Sequence, residues 1–582
     1  MSPEPTLFDV LLSRRGDDRP DSGRHFYQAA TDSFRHSSYS QLIGVAFGLS
    51  HLLKAEGVAG RDPCVVCCRS LPAVLVGFYG ALARGALPVV VPAPKSFQGS
   101  QATTDRLAAL RAKLGDRAAL LVEAGLIDDE GVEATRQWRT IVLPADPIEA
   151  ELEPPADSFR PGAEDLAYLQ ETSASTGSGK LVAISHRNLR TALEAIRLGS
   201  SASDDETVVC WLPLYHDMGL VGCELFSLWW GYPLYLLTPF DFLKRPLRWL
   251  NTLSRYRGTM SPAPDFGYRY CAQAGSAADL EGLDLSRWRV AFSGAEPLHL
   301  STVQKFLDRF EPHGFEARAL LPCYGLAEAT LAATFVGATE LPKYACVERV
   351  PSGFGSTVPV RGTYDVRDRS PEAAPRPGEV AAFSVGRPVP RIEIELVDEA
   401  GRALPGEDLL GEIRVRGAPV ARGYVAASGE GVEPFEDGVL TGDLGFQHGG
   451  ELYVLERLKN VVIRHGENHL ASNLEERLAQ RLGLPFDAVA IFEADLLRGS
   501  GEVVGLIEIP ARSQLAGLVE RLAQAAGLLE ELVLDRVLLT PPRAIPRTTS
   551  GKKQHYLCRQ LLALGELPVL QEVAVGHRGE MP

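Results

Sequence analysis

The chain has no apolar run long enough to cross a bilayer. Its most hydrophobic stretch, residues 225–240, falls short of the roughly 20 residues that a membrane-spanning helix needs, and it is interrupted by Gly231 and Pro233. Residues 1–20 carry Glu4, Asp9, Asp17 and Asp18 and no apolar core, so they do not read as a signal peptide. Positive charge is also in deficit: the net charge is −15, with acidic residues spread along the chain. A nucleic-acid partner needs a basic face, and none is expected. Paired cysteine spacing is missing too. The nine cysteines follow no repeat, and no second Cys or His pair at zinc-site spacing accompanies Cys64, Cys67 and Cys68. Strand alternation points Cys64 and Cys67 to opposite faces, so they read as buried strand residues. This usage fits a reducing compartment; a cytoplasmic protein without membrane insertion is the expectation. No internal repeat is visible, and no D-S-L carrier-domain triplet follows Lys553.

What the chain does have is length. Its 582 residues exceed one hydrophobic core, and two or more domains are expected. Residues 40–53, 72–84 and 103–114 space their apolar positions as helices do, whereas 65–68, 87–91 and 118–122 read as short buried strands. Strands alternating with helices imply a parallel sheet. Residues 188–196 read as a helix with Asn188 close to its N-cap. Further strands are expected at 208–212, 288–292 and up to Leu320. Residues 341–387, rich in Pro, Gly, Arg, Glu and Ser, read as a surface insertion that has room for short strands. Residues 389–425 alternate polar and apolar, as exposed antiparallel strands of a small barrel or sheet do. Past 456–460 the pattern changes to helix at 474–481, strands at 488–492 and 502–508, and helix at 514–525. The expected fold is α/β: a large N-terminal unit, 1–455, of βα-layered sheets plus a small β-barrel, followed by a small mobile α+β unit, 456–582.

The most distinctive stretch is Thr172-Ser173-Ala174-Ser175-Thr176-Gly177-Ser178-Gly179-Lys180. It lacks side-chain bulk, so its N–H groups and hydroxyls can converge on phosphate oxygens, with a lysine charge at the end. A flexible linker would share that composition. The spacing is close to G-x-x-x-x-G-K-[ST], but Ala174 replaces the first glycine and Leu181 the magnesium-binding hydroxyl. Leucine cannot ligate a hard cation, which disfavours a P-loop enzyme. Ligands bind at strand ends in α/β sheets. Three apolar runs end in suitable turns: one in Pro213 to Gly219 with the candidate His216, one in Ser293-Gly294-Ala295-Glu296-Pro297, and one in Pro322 to Glu328. There Tyr324 offers a flat face for a base and Glu328 an oxygen ligand for magnesium.

From about residue 165 to 553 these motifs, in order and spacing, resemble the adenylate-forming superfamily of acyl-CoA synthetases, nonribosomal peptide adenylation domains and luciferases. Trp211-Leu212-Pro213 with His216-Asp217-Met218-Gly219-Leu220, Phe242-Leu243-Lys244-Arg245-Pro246 and Asn468-His469 look most like the fatty acyl-AMP ligases. The resemblance implies that ATP and a carboxylic acid, of the fatty class, give acyl-AMP and pyrophosphate. The acyl group then passes to the phosphopantetheine thiol of a separate acyl carrier protein. It implies that Thr172, Ser173, Ser175, Thr176, Gly177 and Lys180 hold the β- and γ-phosphates and that Glu328 holds Mg²⁺. Gly294, Ala295, Glu296 and Gly325 would wall the adenine and Tyr324 would stack on it. Asp443 and Arg457 would take the ribose, while His216 and above all Lys552 would act in catalysis. The resemblance further implies that Lys552 rides on a unit that turns about a hinge at Lys459, and that the 341–387 insertion impairs use of free CoA. Rival readings are a CoA-using synthetase, an amino-acid-activating domain and a non-catalytic nucleotide-binding homologue.

Overall fold

The computed structural model describes all residues except 1–3, 18, 20, 95–100, 127–134, 145–152, 173–178, 427–430, 465–466, 495–500, 510–514, 525–533, 549–550 and 575–582. One sheet is wholly parallel, in the order Leu87–Val90, Pro63–Cys67, Ala119–Glu123, Arg139–Leu143. Both its faces are covered, as parallel sheets require. Cys64, Val66 and Cys68 enter one core and Val65 and Cys67 another, the alternation read from the sequence. Helix Leu71–Arg84 packs on it and Tyr39–Ala55 packs on that helix; each starts at a serine whose side chain accepts from the N–H three residues on, which satisfies a free helix-end N–H.

A second parallel system positions the site. Arg24–Gln28, Leu234–Leu236 and Val208–Cys210 pair in that order. Single parallel bridges at Met260 and Val290 carry the system on to Ala291–Ser293 and Leu320–Gly325. Val208–Cys210, Ala291–Ser293 and Leu320–Gly325 therefore run the same way, and the turns after them share one edge. The strand expected at 288–292 is displaced to Ala291–Ser293, because Trp288 and Arg289 lie before the ladder.

The stretch 172–180 joins two antiparallel strands, Leu166–Glu171 and Leu181–Ser185. Its neck is closed by the Thr172 N–H, which donates to the Lys180 carbonyl at 2.9 Å. Helix His186–Gly199 begins at Ser185 rather than Asn188. Asn188 sits at the third helical position and accepts from the Ser185 N–H, the reciprocal half of a capping box.

Ile392–Val397, Gly411–Gly417, Val439–His448 and Glu451–Arg457 form an antiparallel sheet. These strands are less exposed than expected: Ile413 and Val415 are fully buried against Phe335 and Leu452. The insertion also differs from expectation. Lys343–Val347, Val360–Asp365 and Val380–Phe383 form a sheet of their own. Ala345, Val347 and Ala382 bury against Leu444, Phe446, Val461 and Leu470, so much of the segment is core. Arg361 and Glu379 hold its turns together in a bidentate pair. Beyond 456 a sheet of Val489–Glu493, Val503–Glu508, Arg536–Thr540 and Gln571–Ala574 is covered by Ala471–Leu482, Leu515–Gln524 and His555–Leu564. Its two apolar clusters draw only on residues past 461. No helix among the described residues is long and apolar enough to cross a membrane.

One ionic network lies wholly inside the N-terminal part. Arg24 donates to both carboxylate oxygens of Glu224 and to the Tyr39 hydroxyl, and the Tyr79 hydroxyl donates to Glu224. Arg24 and Glu224 are completely buried. Glu224 belongs to a π-helical turn, Leu220–Leu225, continuous with the helical turn after His216. Removing one partner of such a pair strands the other charge in a dry core. Glu224→Ala should lower the unfolding free energy by about 3–5 kcal/mol in denaturant titration, and replacing Arg24 and Glu224 together by methionine should lose far less. A loss below about 1 kcal/mol for the single substitution would remove the network from the stability argument.

Candidate active site

The shared strand edge opens into a cavity of about 1160 Å³. Its walls come from the turns already singled out, from the antiparallel sheet, and from the C-terminal unit. At the end of Ala291–Ser293, Gly294 lies against the neighbouring strand: a Cβ there would meet Cys323 Sγ at 2.7 Å and the Cys323 carbonyl at 3.0 Å. Ala295 follows in the left-handed region, with φ of 73°, a conformation rare for a residue with a side chain. The turn aims Glu296 inward, where it accepts from the Phe266 N–H at 2.8 Å. Burial, with Asp265 close by, pushes the Glu296 carboxyl up to about 7.

Gly325 ends the next strand. A Cβ there would stand 1.9 Å from the Leu331 carbonyl, so only glycine lets the chain fold back beside Tyr324. The Tyr324 hydroxyl donates to Asp443 Oδ2 at 2.7 Å, and Arg457 Nε donates to Asp443 Oδ1 at 2.9 Å. Each carboxylate oxygen keeps a further lone pair for a ligand. Burial and the Asp443 charge raise the Tyr324 hydroxyl well above its ordinary value, so it acts as donor. These three residues were read from separate motifs; the structure joins them in one hydrogen-bonded group.

At the other end stand Lys180 and Glu328. Both meet Tyr424, which the sequence reading missed. The Tyr424 hydroxyl donates to Glu328 Oε1 at 2.6 Å, and the Lys180 ammonium lies 4.3 Å from the centre of its ring. Tyr424 reaches this place because its strand pairs with Leu181–Ser185; nothing in the local sequence signals that pairing. Thr172 accepts from the Lys180 N–H through its hydroxyl at 3.1 Å. Ser173, Ser175, Thr176 and Gly177 lie outside the described residues. Among the described residues no group of three or more His, Cys, Asp or Glu is arranged to hold a metal. A single carboxylate, Glu328, suits Mg²⁺, which keeps waters and is shared with substrate phosphates.

His216 caps the turn Asp217–Gly219 and also faces the cavity. Its Nδ1 lies 2.6 Å from Asp217 Oδ1. Burial alone would raise the Asp217 carboxyl, but His216 and Lys552 hold it below the usual carboxylate range. Lys552 comes from the C-terminal unit into the same cavity, partly buried, facing Asp217, Glu296, Arg457 and Asp443. Burial lowers its ammonium pKa, and the three carboxylates oppose that shift. Lys553 turns the other way, to Glu475 at 2.7 Å. Beyond Met218 the wall becomes apolar, with Gly222, Phe292, Leu331, Ala332 and Phe335.

Comparison with known proteins agrees with this geometry. Residues 15–425 match the family model described as AMP-binding enzyme. A medium-chain-fatty-acid–[acyl-carrier-protein] ligase, TtuA, of Teredinibacter turnerae is 33% identical over 72% of this chain, and the match spans 65% of that protein's length. A second such ligase, JamA of Moorena producens, is 29% identical over 97% of this chain and 96% of its own. A structure from studies of fatty acyl-adenylate ligases of E. coli and L. pneumophila superposes with a TM-score of 0.84 at 28% identity, covering 97% of this chain and 98% of that one. A fatty acyl-adenylate ligase of L. pneumophila in complex with acyl adenylate and pyrophosphate gives 0.68 at 27%, over 98% of each chain. With its matched motifs meeting in one cavity, the chain belongs to the AMP-binding enzyme family.

Proposed function

We propose that this protein joins a fatty acid to AMP at the expense of ATP and then hands the acyl group to the phosphopantetheine thiol of a separate acyl carrier protein. The observation that carries the reading is Lys552, an ammonium from the C-terminal unit that lines the cavity among Asp217, Glu296, Asp443 and Arg457. In the first step a carboxylate oxygen attacks the α-phosphorus and the bond to pyrophosphate breaks. Both reactants are anionic there, so a positive charge at that point offsets the repulsion and orients the attack. In the second step the thiol sulfur attacks the acyl carbon, AMP leaves with the bonding pair, and the thiol proton is released.

The remaining residues take the following roles in this reading. Asp443, fixed from behind by Tyr324 and Arg457, offers acceptors to the ribose hydroxyls. Gly294, Ala295 and Glu296 line the base, with Gly325 allowing Tyr324 to approach it. Lys180 and Thr172, with Ser173, Ser175, Thr176 and Gly177, receive the terminal phosphates. Glu328 would hold Mg²⁺, whose contribution when bound is to neutralise charge on the departing pyrophosphate. His216, steadied by Asp217, borders the polar and apolar ends of the cavity and orients the acyl carboxylate. The apolar wall from Met218 to Phe335 suits an aliphatic tail.

The rivals fare less well. An amino acid would need a free carboxylate for its amine, but Asp217 is already engaged by His216 and Lys552. For CoA as acceptor, the proteins named putative fatty-acid–CoA ligase FadD21 are 31% identical over 88% of this chain. Against it stands the insertion, which meets the C-terminal unit: Asn468 Nδ2 donates to the Pro351 carbonyl at 2.7 Å and Val350 bridges Asn468. This contact supports the view that the segment restrains the rearrangement a free CoA would need. The division at 455/456 is likewise supported by the separate apolar clusters beyond 461.

Lys552→Ala should lower pyrophosphate release from ATP and a straight-chain acid by at least about 10²-fold while ATP binding, measured by calorimetry, stays near wild type. Unchanged turnover in that variant would end the assignment. Glu328→Gln should raise the Mg²⁺ concentration needed for half-maximal pyrophosphate release by roughly tenfold. An unaltered Mg²⁺ titration would move the metal to other ligands. With holo-carrier protein and CoA offered together, acyl transfer should favour the carrier protein; equal use of CoA would remove the argument from the insertion.

A further inference from the structure

A second set of polar contacts joins the N-terminal part to the C-terminal unit, away from the reacting end of the cavity. It is built on two adjacent acids of the helix Ala471–Leu482. Glu475 faces its own unit. It takes Lys553 Nζ at 2.7 Å, His555 Nε2 at 2.6 Å and the Ile491 N–H at 2.8 Å, fixing the segment that begins at Lys552. Burial would raise the Glu475 carboxyl, but Lys553 and His555 bring it down to about 2. Glu476, the next residue, faces the other way. It meets His299 Nδ1 at 2.8 Å and accepts from the Ser301 hydroxyl at 2.5 Å.

A parallel grip lies one turn of chain away. Asp487 accepts from Arg269 at 3.2 Å and from the Tyr270 hydroxyl at 2.9 Å, and its carbonyl receives Arg547. The Phe486 ring is packed by the His299 ring at 4.8 Å, by the Arg269 guanidinium at 4.7 Å and by the Lys553 ammonium at 3.7 Å. On the N-terminal side these groups are themselves anchored. Asp265 accepts from the His299 N–H and from the Thr302 hydroxyl, each at 3.0 Å. His299 lies three residues past Glu296, on the same turn that faces the nucleotide end of the cavity.

We propose that His299 and Glu476 are positioning residues for acyl-AMP formation: together with Arg269 and Asp487 they clasp the C-terminal unit so that Lys552 stands in the cavity. The inference rests on the acyl-AMP ligase reading above. Neither residue reaches the reacting atoms. Glu476 transmits its hold through Glu475 and Phe486, which carry the lysine segment. Because the clasp joins surfaces from both units, it exists only while they are docked in this arrangement. The step that uses Lys552 depends on it, and the thiol step, in which Lys552 has no assigned part, does not.

The test separates the two steps in full-length enzyme. Decanoic acid and ATP in single turnover report acyl-AMP formation; synthetic decanoyl-AMP with holo-acyl carrier protein reports transfer. His299→Ala and Glu476→Ala should each slow the first step by about 10²-fold. The KM for ATP should stay within about twofold, and the second step should be as fast as wild type or faster. The double variant should be slowed by clearly less than the product of the two single effects, because the two substitutions share the loss of the His299–Glu476 contact. Equal slowing of both steps would mean a merely structural role, and an unchanged first step or an additive double variant would equally overturn the clasp. Wild-type enzyme that forms no acyl-AMP would overturn the parent reading and the clasp with it. Wild-type formation with variants unaffected overturns the clasp alone.

Discussion

A buried ammonium is stable only where opposite charge awaits it. Lys552 is brought to such a place: it is partly withdrawn from water, and Asp217, Glu296 and Asp443 face it. Asp217 and Glu296 stand on turns after parallel strands of the N-terminal part, Asp443 stands on the antiparallel strand Val439–His448, and the lysine arrives on the segment before the helix His555–Leu564. The strands that end together at 210 and 293 and the antiparallel sheet set the carboxylates, and the docked C-terminal unit sets the cation. Neither half alone assembles a site, because clustered carboxylates would repel and an unpaired lysine would neutralise. Burial and the neighbouring Asp265 raise the Glu296 carboxyl.

Much of this was legible in the sequence where one local rule decides the outcome. The helix expected at 40–53 is Tyr39–Ala55, and that at 72–84 is Leu71–Arg84, since apolar spacing fixes a helix within a residue or two. The glycines at 294 and 325 mark places where chains touch. Local rules failed where neighbours decide. Asn188 looks like a cap from its own position, but Ser185 already supplies one. Tyr424, His299 and Glu476 gave no signal, because each takes its meaning from a partner remote in the chain: Tyr424 from Glu328, and His299 and Glu476 from one another.

The insertion teaches a related point. Its composition, rich in Pro, Gly and charge, reads as surface. Yet Lys343–Val347 is the central strand of its own sheet, with four of its residues fully buried. The polar residues lie on the turns, where Arg361 binds Glu379, while short apolar runs supply the core. Average composition over 341–387 conceals runs this short. Cutting through this segment would expose Val461 and Leu470 as well, so any link between it and acceptor choice is best approached through its contact at Asn468.

The aromatic ring of Tyr424 has one more consequence. With Lys180 resting on its face and Glu328 on its hydroxyl, the tyrosine holds a cation and a carboxylate at a set separation. In the proposed reading the cation would receive the outer phosphates and the carboxylate would hold Mg²⁺. The pair then works as a gauge of polyphosphate length. A nucleotide one phosphate shorter could satisfy one member but not both, which gives the enzyme a means of distinguishing charged from spent nucleotide before any bond is broken.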